Sequence, residues 1–401
     1  IFKYYGINTT QYEVLFRSGG GYSLLYFHPR IKRIPVGCAG SSDWEIDRTF
    51  LAELYGLNYT ETWLTYMNIS KEDMWDEYWT RVKQNLSNNI PVLTWTDPTS
   101  LTSTREAILK EMNISEEIFS LIPEIIWNFF PSTVSHAIVL VGYNSSNGTI
   151  CFNDPGTEVF NQPECGTYAW MNLTDFKNQL KLLRLQSNTA YLIGTFQNSS
   201  KPPLNQTVAF EKALIRNVER MKGNRSFYDV HQKDHWKVKY FGIQGLKQLK
   251  NDLEPGLKNR ICTILTYKLW NFISLKSLVF RLYKILDIVI PNIINISDFH
   301  SMMNYYYQFI LEKRDIANYL ESIQKDIDGP RLKQICENNS ILLRQEIKEF
   351  TKLAENYSKF IEKGVFLTLP KSIKITDSMM KNTEELISIE EEIIDSLKIT
   401  W

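Results

Sequence analysis

The stretch that most constrains the fold is an apolar run closed by a turn. It reads Ser135-His136-Ala137-Ile138-Val139-Leu140-Val141-Gly142-Tyr143, then Asn144 to Gly148, then Thr149-Ile150-Cys151-Phe152-Asn153-Asp154-Pro155. Successive apolar residues suit a central strand buried on both faces, and Asn147-Gly148 is a hairpin turn signal. His136 opens the first strand and Asp154 closes the second. With the turn centred near Ser146 they share side-chain parity and become diagonal neighbours on one face of the sheet. That arrangement suits an imidazole base held by a carboxylate. A register one residue away separates them, and the same residues then read as an ordinary core hairpin ending in an Asp-Pro turn.

The chain's 401 residues leave room for two or three domains. A hydrophobic fraction of 43% with 13% aromatics can bury real cores, which excludes a disordered chain. The 45 basic and 45 acidic side chains cancel, and no basic run carries interleaved aromatics, so nucleic acid is not an expected partner. The most apolar region, Ile261 to Ile296, is interrupted by Lys268, Lys276, Arg281, Lys284 and Asp287, so no transmembrane segment is expected. Ile1-Phe2-Lys3-Tyr4-Tyr5-Gly6 lacks signal-peptide form. It reads as the last turns of an apolar helix stopped by Gly6, as in a mature or truncated chain.

Fourteen asparagines begin an Asn-x-Ser/Thr sequon, where chance gives roughly four. Ten lie within the first 205 residues: Asn8, Asn58, Asn68, Asn85, Asn113, Asn144, Asn147, Asn172, Asn198 and Asn205. The excess points to N-linked glycans on a secreted protein, extracellular or luminal; a genome rich in Asn codons explains the asparagines but not the Ser or Thr two places on. Cys151 and Cys165 flank a short loop and can bridge in an oxidising compartment. Cys38, Cys262 and Cys336 are too scattered to pair by spacing. No Cys/His spacing has zinc-site form, and His231 and His235, four apart around Asp234, lack a third ligand. No metal or cofactor is expected.

Taken in order, the chain reads as helices followed by an antiparallel sheet. Asn8-Thr9-Thr10 caps a short helix, Ser18 to Ser23 is a Gly-rich turn, and Leu24 to Phe27 is a strand. The capping box Ser42-Asp43-Trp44-Glu45 opens a helix stopped at Gly56. A second helix follows Ser70, with Met74, Trp75, Tyr78 and Val82 on one face. Ile90 to Trp95 is a strand, and Ser103 to Met112 and Glu116 to Phe130 are helices. Short strands are expected near 158–160 and 168–170, a helix over 175–183 and a strand over 191–196. Asn198 to Pro203 is the clearest linker. Beyond it helices are expected over 208–221, 243–252, 258–290, 298–326, 331–361 and 378–397. The expected division is therefore an α+β domain over 1–198, a linker over 199–206 and an all-α domain over 207–401.

The residues also resemble a known family. Tyr4-Tyr5-Gly6-Ile7-Asn8, the Gly-rich turn, Tyr55-Gly56-Leu57, Asn89-Ile90-Pro91-Val92-Leu93, the His136 strand and Asn153-Asp154-Pro155 occur in an order similar to the papain-like cysteine peptidases that cut double-glycine leader peptides. The order more closely resembles the butirosin-biosynthesis protein H group of acyltransferases. That group carries a helical C-terminal domain, whose opening Tyr240 to Lys247 resembles. The resemblance implies a papain-like fold, His136 as base and Asp154 as its orienting carboxylate. It puts the nucleophilic cysteine at the start of the helix that ends at Tyr5, ahead of Ile1. Cys38, between small residues just before the Ser42 cap, is the nearby substitute. The implied activity is hydrolysis or acyl transfer at an amide or thioester bond, on a peptide or acyl-carrier-type substrate. The alternative is a non-catalytic secreted protein that keeps the fold and takes part in a surface assembly. The cleft at His136 is expected to be walled by Ile1 to Tyr5.

Overall fold

The structure, a computed structural model, describes residues 1–22, 24–29, 37–40, 44–66, 70, 73–96, 101–112, 136–160, 162–186, 190–224, 237–253, 298–363 and 369–397. The helices expected over 116–130 and 258–290, the His231–His235 pair, and the sequons at Asn68 and Asn113 lie outside these residues. The strands are β1 (Leu24–Pro29), β2 (Gly37–Gly40), β3 (Leu57–Trp63), β4 (Val92–Thr96), β5 (His136–Asn144), β6 (Thr149–Asn153), β7 (Ala169–Asn172), β8 (Leu192–Asn198) and β9 (Lys237–Phe241). The helices are α1 (Gln11–Ser18), α2 (Trp44–Leu54), α3 (Met74–Ser87), α4 (Thr102–Met112), α5 (Leu173–Gln186), α6 (Gln206–Met221), α7 (Ile243–Leu253), α8 (Asp298–Ile323), α9 (Pro330–Lys363) and α10 (Leu369–Leu397).

The chain divides into two units, Ile1–Ile7 with Tyr55–Pro203, and Asn8–Leu54 with Leu204–Trp401. The first is built on a six-stranded antiparallel sheet of order β3-β8-β4-β5-β6-β7. All five residues of β4 are buried, as a central strand demands. Helix α3 buries Met74, Trp75, Tyr78 and Val82, and the Tyr78 hydroxyl meets Thr94 Oγ1 at 2.9 Å, so a ring that fills the core also satisfies its polar end. Phe152, Phe176, Ile138 and Leu140 complete this core. Residues Phe2–Tyr5 form a 3-10 turn ended by Gly6 at φ 72°. Tyr4 donates its hydroxyl to Asn89 O and Tyr5 to Phe196 O.

In the second unit β2, β1 and β9 form an antiparallel sheet. Tyr26 of β1 packs in a cluster with Leu246, Leu249, Phe350 and Leu386, and its hydroxyl donates to Asp252 Oδ2 at 2.6 Å. Phe16, Phe210, Leu320 and Leu343 anchor a second cluster among α1, α6, α8 and α9. The architecture is α+β, an antiparallel sheet followed by a mainly helical region. Three details differ from the sequence expectations. Residues Pro155–Phe160 form a 3-10 turn rather than a strand. β2, β3 and β9 are strands that were not expected, and β9 falls in the region read as all-α. Residues 8–54, expected with the sheet domain, group with the helices because β1 pairs with β9 and α1 packs beside α6 and α8.

Candidate active site

His136 is the first residue of β5, where it pairs with Thr96, the last residue of β4. Asp154 immediately follows β6. From the turn upward, Asn144 pairs with Thr149, Tyr143 with Ile150 and Gly142 with Cys151. A β-bulge between Leu140 and Gly142 then moves the register by one, so that Leu140 pairs with Phe152 and Val139 with Asn153. Continued one step, this register sets Asp154 opposite Ile138, on the same face as His136. Had the turn-side register run on, Asp154 would oppose Val139 and point to the other face.

His136 Nε2 lies 2.6 Å from Asp154 Oδ1. The Asp154 side chain is fully buried, whereas 22% of the His136 side chain is exposed. Oδ1 also accepts the Gly156 N–H at 2.8 Å. Oδ2 accepts the Ser103 hydroxyl at 2.6 Å and the Thr104 hydroxyl at 3.2 Å, both from the first turn of α4. The main chain is tied as well: Asp154 N–H donates to Gly166 O at 2.8 Å, and Thr157 donates its hydroxyl to Asp154 O at 3.1 Å. Burial pushes the Asp154 carboxyl up, but the hydrogen bond and charge of His136, with the Ser103 and Gly156 donors, outweigh it and hold the carboxyl below its usual range. Asp154 is therefore a carboxylate at neutral pH and takes the Nε2 proton of His136, which makes Nδ1 the acceptor of the neutral ring. Among the described residues none hydrogen-bonds to Nδ1.

Ser103, Thr104 and Gly156 were not singled out in the sequence. Gly156 had a signal: an Asp bonding the N–H two residues on is an Asx-turn, and Asp154-Pro155-Gly156 is a turn composition. The hydroxyl run Thr102-Ser103-Thr104 had none, because its partner is 50 residues away.

The other candidates fall elsewhere. Cys38 is on β2 of the second unit, opposite Tyr26. Cys151 and Cys165, which their spacing would allow to bridge, are free buried thiols. Cys151 lies on β6 opposite Trp170 of β7, and Cys165 lies in the 3-10 turn Pro163–Gly166. Burial pushes the Cys336 thiol up to about 12. Ile1 to Tyr5 do not wall His136: Tyr4 and Tyr5 are tied to Asn89 and Phe196, toward the end of β4 away from Thr96. A cavity of about 620 Å³ opens between α3 and the β3–β8 ladder, lined by Thr60, Thr195, Arg81 and Gln84 among others, and His136 is not part of it. Among the described residues no group of side chains could hold a metal ion, and no helix is long and apolar enough to cross a membrane.

Residues 37–179 match the Peptidase_C39 like family. The matched stretch contains Cys38, His136 and Asp154 and every strand of the first unit except β8. It supports a papain-like, cysteine-peptidase type of fold for this part of the chain. No curated protein matches.

Proposed function

We propose that the His136–Asp154 pair serves a cysteine-dependent hydrolase or acyltransferase acting on an amide or thioester bond, in the manner of the butirosin-biosynthesis protein H group. The observation that carries this reading is the His136 Nε2–Asp154 Oδ1 bond at 2.6 Å, which leaves Nδ1 as the acceptor. Nδ1 takes the thiol proton and the thiolate attacks the carbonyl carbon. The C–N or C–S bond then breaks as His136 returns the proton to the leaving group, and water or an acceptor nucleophile releases the acyl group from sulfur. The thiol belongs, by the resemblance, to the helix leading into Tyr4-Tyr5-Gly6. Substrates of this class are peptides or acyl-carrier-type thioesters. Secretion with N-linked glycosylation is part of the same proposal. Asn8, Asn58, Asn144, Asn147, Asn172, Asn198 and Asn205 are exposed, which supports it, whereas Asn85 is half-buried and donates its amide to Arg81 O at 2.9 Å.

The test is to incubate protein from its natural source with a small acyl thioester and map adducts by mass spectrometry. An acyl group on one cysteine, absent in His136→Ala, is the expected result. No adduct, or one that does not depend on His136, contradicts the reading.

A further inference from the structure

We propose that Ser103 and Thr104 are positioning residues that fix the plane of the Asp154 carboxylate and thereby aim the His136 ring. The inference rests on the reading of His136 as a base. Both donors to Oδ1, His136 Nε2 and the Gly156 N–H, converge on one oxygen atom. Two bonds to one oxygen leave the carboxylate free to turn about its Cβ–Cγ bond, a torsion with a broad and weakly restrained profile. The second oxygen removes that freedom. Oδ2 is held by Ser103 at 2.6 Å, the short distance of a charge-assisted O–H···O bond, and by Thr104 at 3.2 Å.

These hydroxyls are not idle groups that happen to lie near. Ser103 is 1% exposed and Thr104 8% exposed, so each needs a partner, and each finds it in Asp154. Hydroxyls in a first helical turn ordinarily satisfy their own helix's free N–H groups or point to water; here they reach across to another element. The helix itself is pinned at that point, because Thr102 donates its hydroxyl to Trp170 O of β7 at 3.2 Å. The carboxylate also sits at the positive end of α4, where a negative charge is favoured. Three consecutive residues, Thr102, Ser103 and Thr104, thus lock one helix end to β7 and to the carboxylate that holds the base.

The test reads His136 directly and needs no turnover. The chain is labelled with 15N-histidine, and the His136 signals, among five histidines, are assigned by their loss in His136→Gln. In the native chain at neutral pH the ring should be the Nε2–H tautomer. In Ser103→Ala the Asp154 carboxylate loses a bond that favours its charged form. The low-pH transition sensed by His136 should therefore move to higher pH, and the Nε2–H tautomer should lose population. Thr104→Ala should move both in the same direction by less, and Ser103→Thr, which keeps the hydroxyl, should restore native signals. If Ser103→Ala does not fold, Thr104→Ala carries the test. Unchanged His136 signals in the folded alanine variants overturn the proposal. An absent thioester adduct with shifted His136 signals instead defeats the functional reading and leaves the positioning role standing.

Discussion

A methyl group on residue 156 would sit 2.9 Å from His136 Cε1 and Nε2, closer than carbon approaches a ring atom, and a tight 3.0 Å from Asp154 Oδ1. Gly156→Ala should therefore displace the ring while leaving the core intact, because the residue is only part-buried. We expect a melting temperature within a few degrees of native, with His136-dependent thiol reactivity reduced at least about tenfold, since reacting groups tolerate little misplacement. Native reactivity in a folded variant would show that the ring is held by something else. Asp154 makes a prediction in pH. Its carboxyl is held below the usual range despite burial, so its contribution to stability is full above the unfolded carboxylate range and is lost as pH falls through the lowered native value. Asp154→Asn should cost about 2–3 kcal/mol near pH 7, and the gap from native should narrow as the native group protonates. Urea unfolding at several acidic pH values checks this; a gap that does not change with pH refutes it. The hairpin that carries His136 and Asp154 was legible in the sequence from its apolar run and turn signal, but their shared face was not fixed by them, because it depends on the bulge between Leu140 and Gly142. The hydroxyl partners were not legible, because nothing in a helix's own pattern says that its first turn will satisfy a carboxylate on another element.

At the scale of elements, the loop after β6 folds back on itself to close the site. Asp154 N–H donates to Gly166 O, and a methyl on residue 166 would lie 2.1 Å from Asp154 O and 2.3 Å from Thr157 Oγ1. The first neighbour is backbone and cannot swing aside. Gly166→Ala should destabilise the protein by about 3 kcal/mol, the upper range for overpacking, and should weaken the His136–Asp154 bond with it; a urea midpoint equal to native would show that the loop has room to move. Several elements were missed for reasons visible in their residues. Leu57-Asn58-Tyr59-Thr60-Glu61-Thr62-Trp63 alternates, and Leu57 and Tyr59 are buried while Asn58 and Thr60 are exposed, so β3 was readable from its period. β9, Lys237-Val238-Lys239-Tyr240-Phe241, also alternates at its start, but it lies between helical patterns and pairs with β1 about 200 residues earlier. Glu158-Val159-Phe160 looked like a strand because its residues favour one; Asp154 and Thr157 instead bind the turn's own backbone.

Across the whole molecule, the sequence showed where the helical region begins but not that residues 8–54 join it, since that grouping depends on pairing between distant segments. The second unit also buries charge. Lys313 of α8 lies 2.5 Å from Glu346 of α9 and 3.1 Å from Glu390 of α10, all three buried, with Tyr22 and Cys336 nearby. Burial and the neighbouring Glu390 hold the Glu346 carboxyl well above its usual range against the pull of Lys313. That proton stabilises the fold fully below the usual glutamate range and progressively less as pH rises toward the native value. Glu346→Gln removes the dependence, so its melting temperature should gain on native as pH rises above the usual glutamate range; a constant difference contradicts the raised carboxyl. The central claim is that His136, held by Asp154, activates a thiol. The most direct measurement is the rate of thiol alkylation against pH, mapped to individual cysteines, in protein from the natural source and in its His136→Ala variant. We predict one cysteine that alkylates rapidly down to about pH 6, well below the ordinary thiol range, and that falls back to ordinary thiol behaviour when His136 is removed. Equal rates and equal pH profiles in the two proteins at every cysteine would contradict the account.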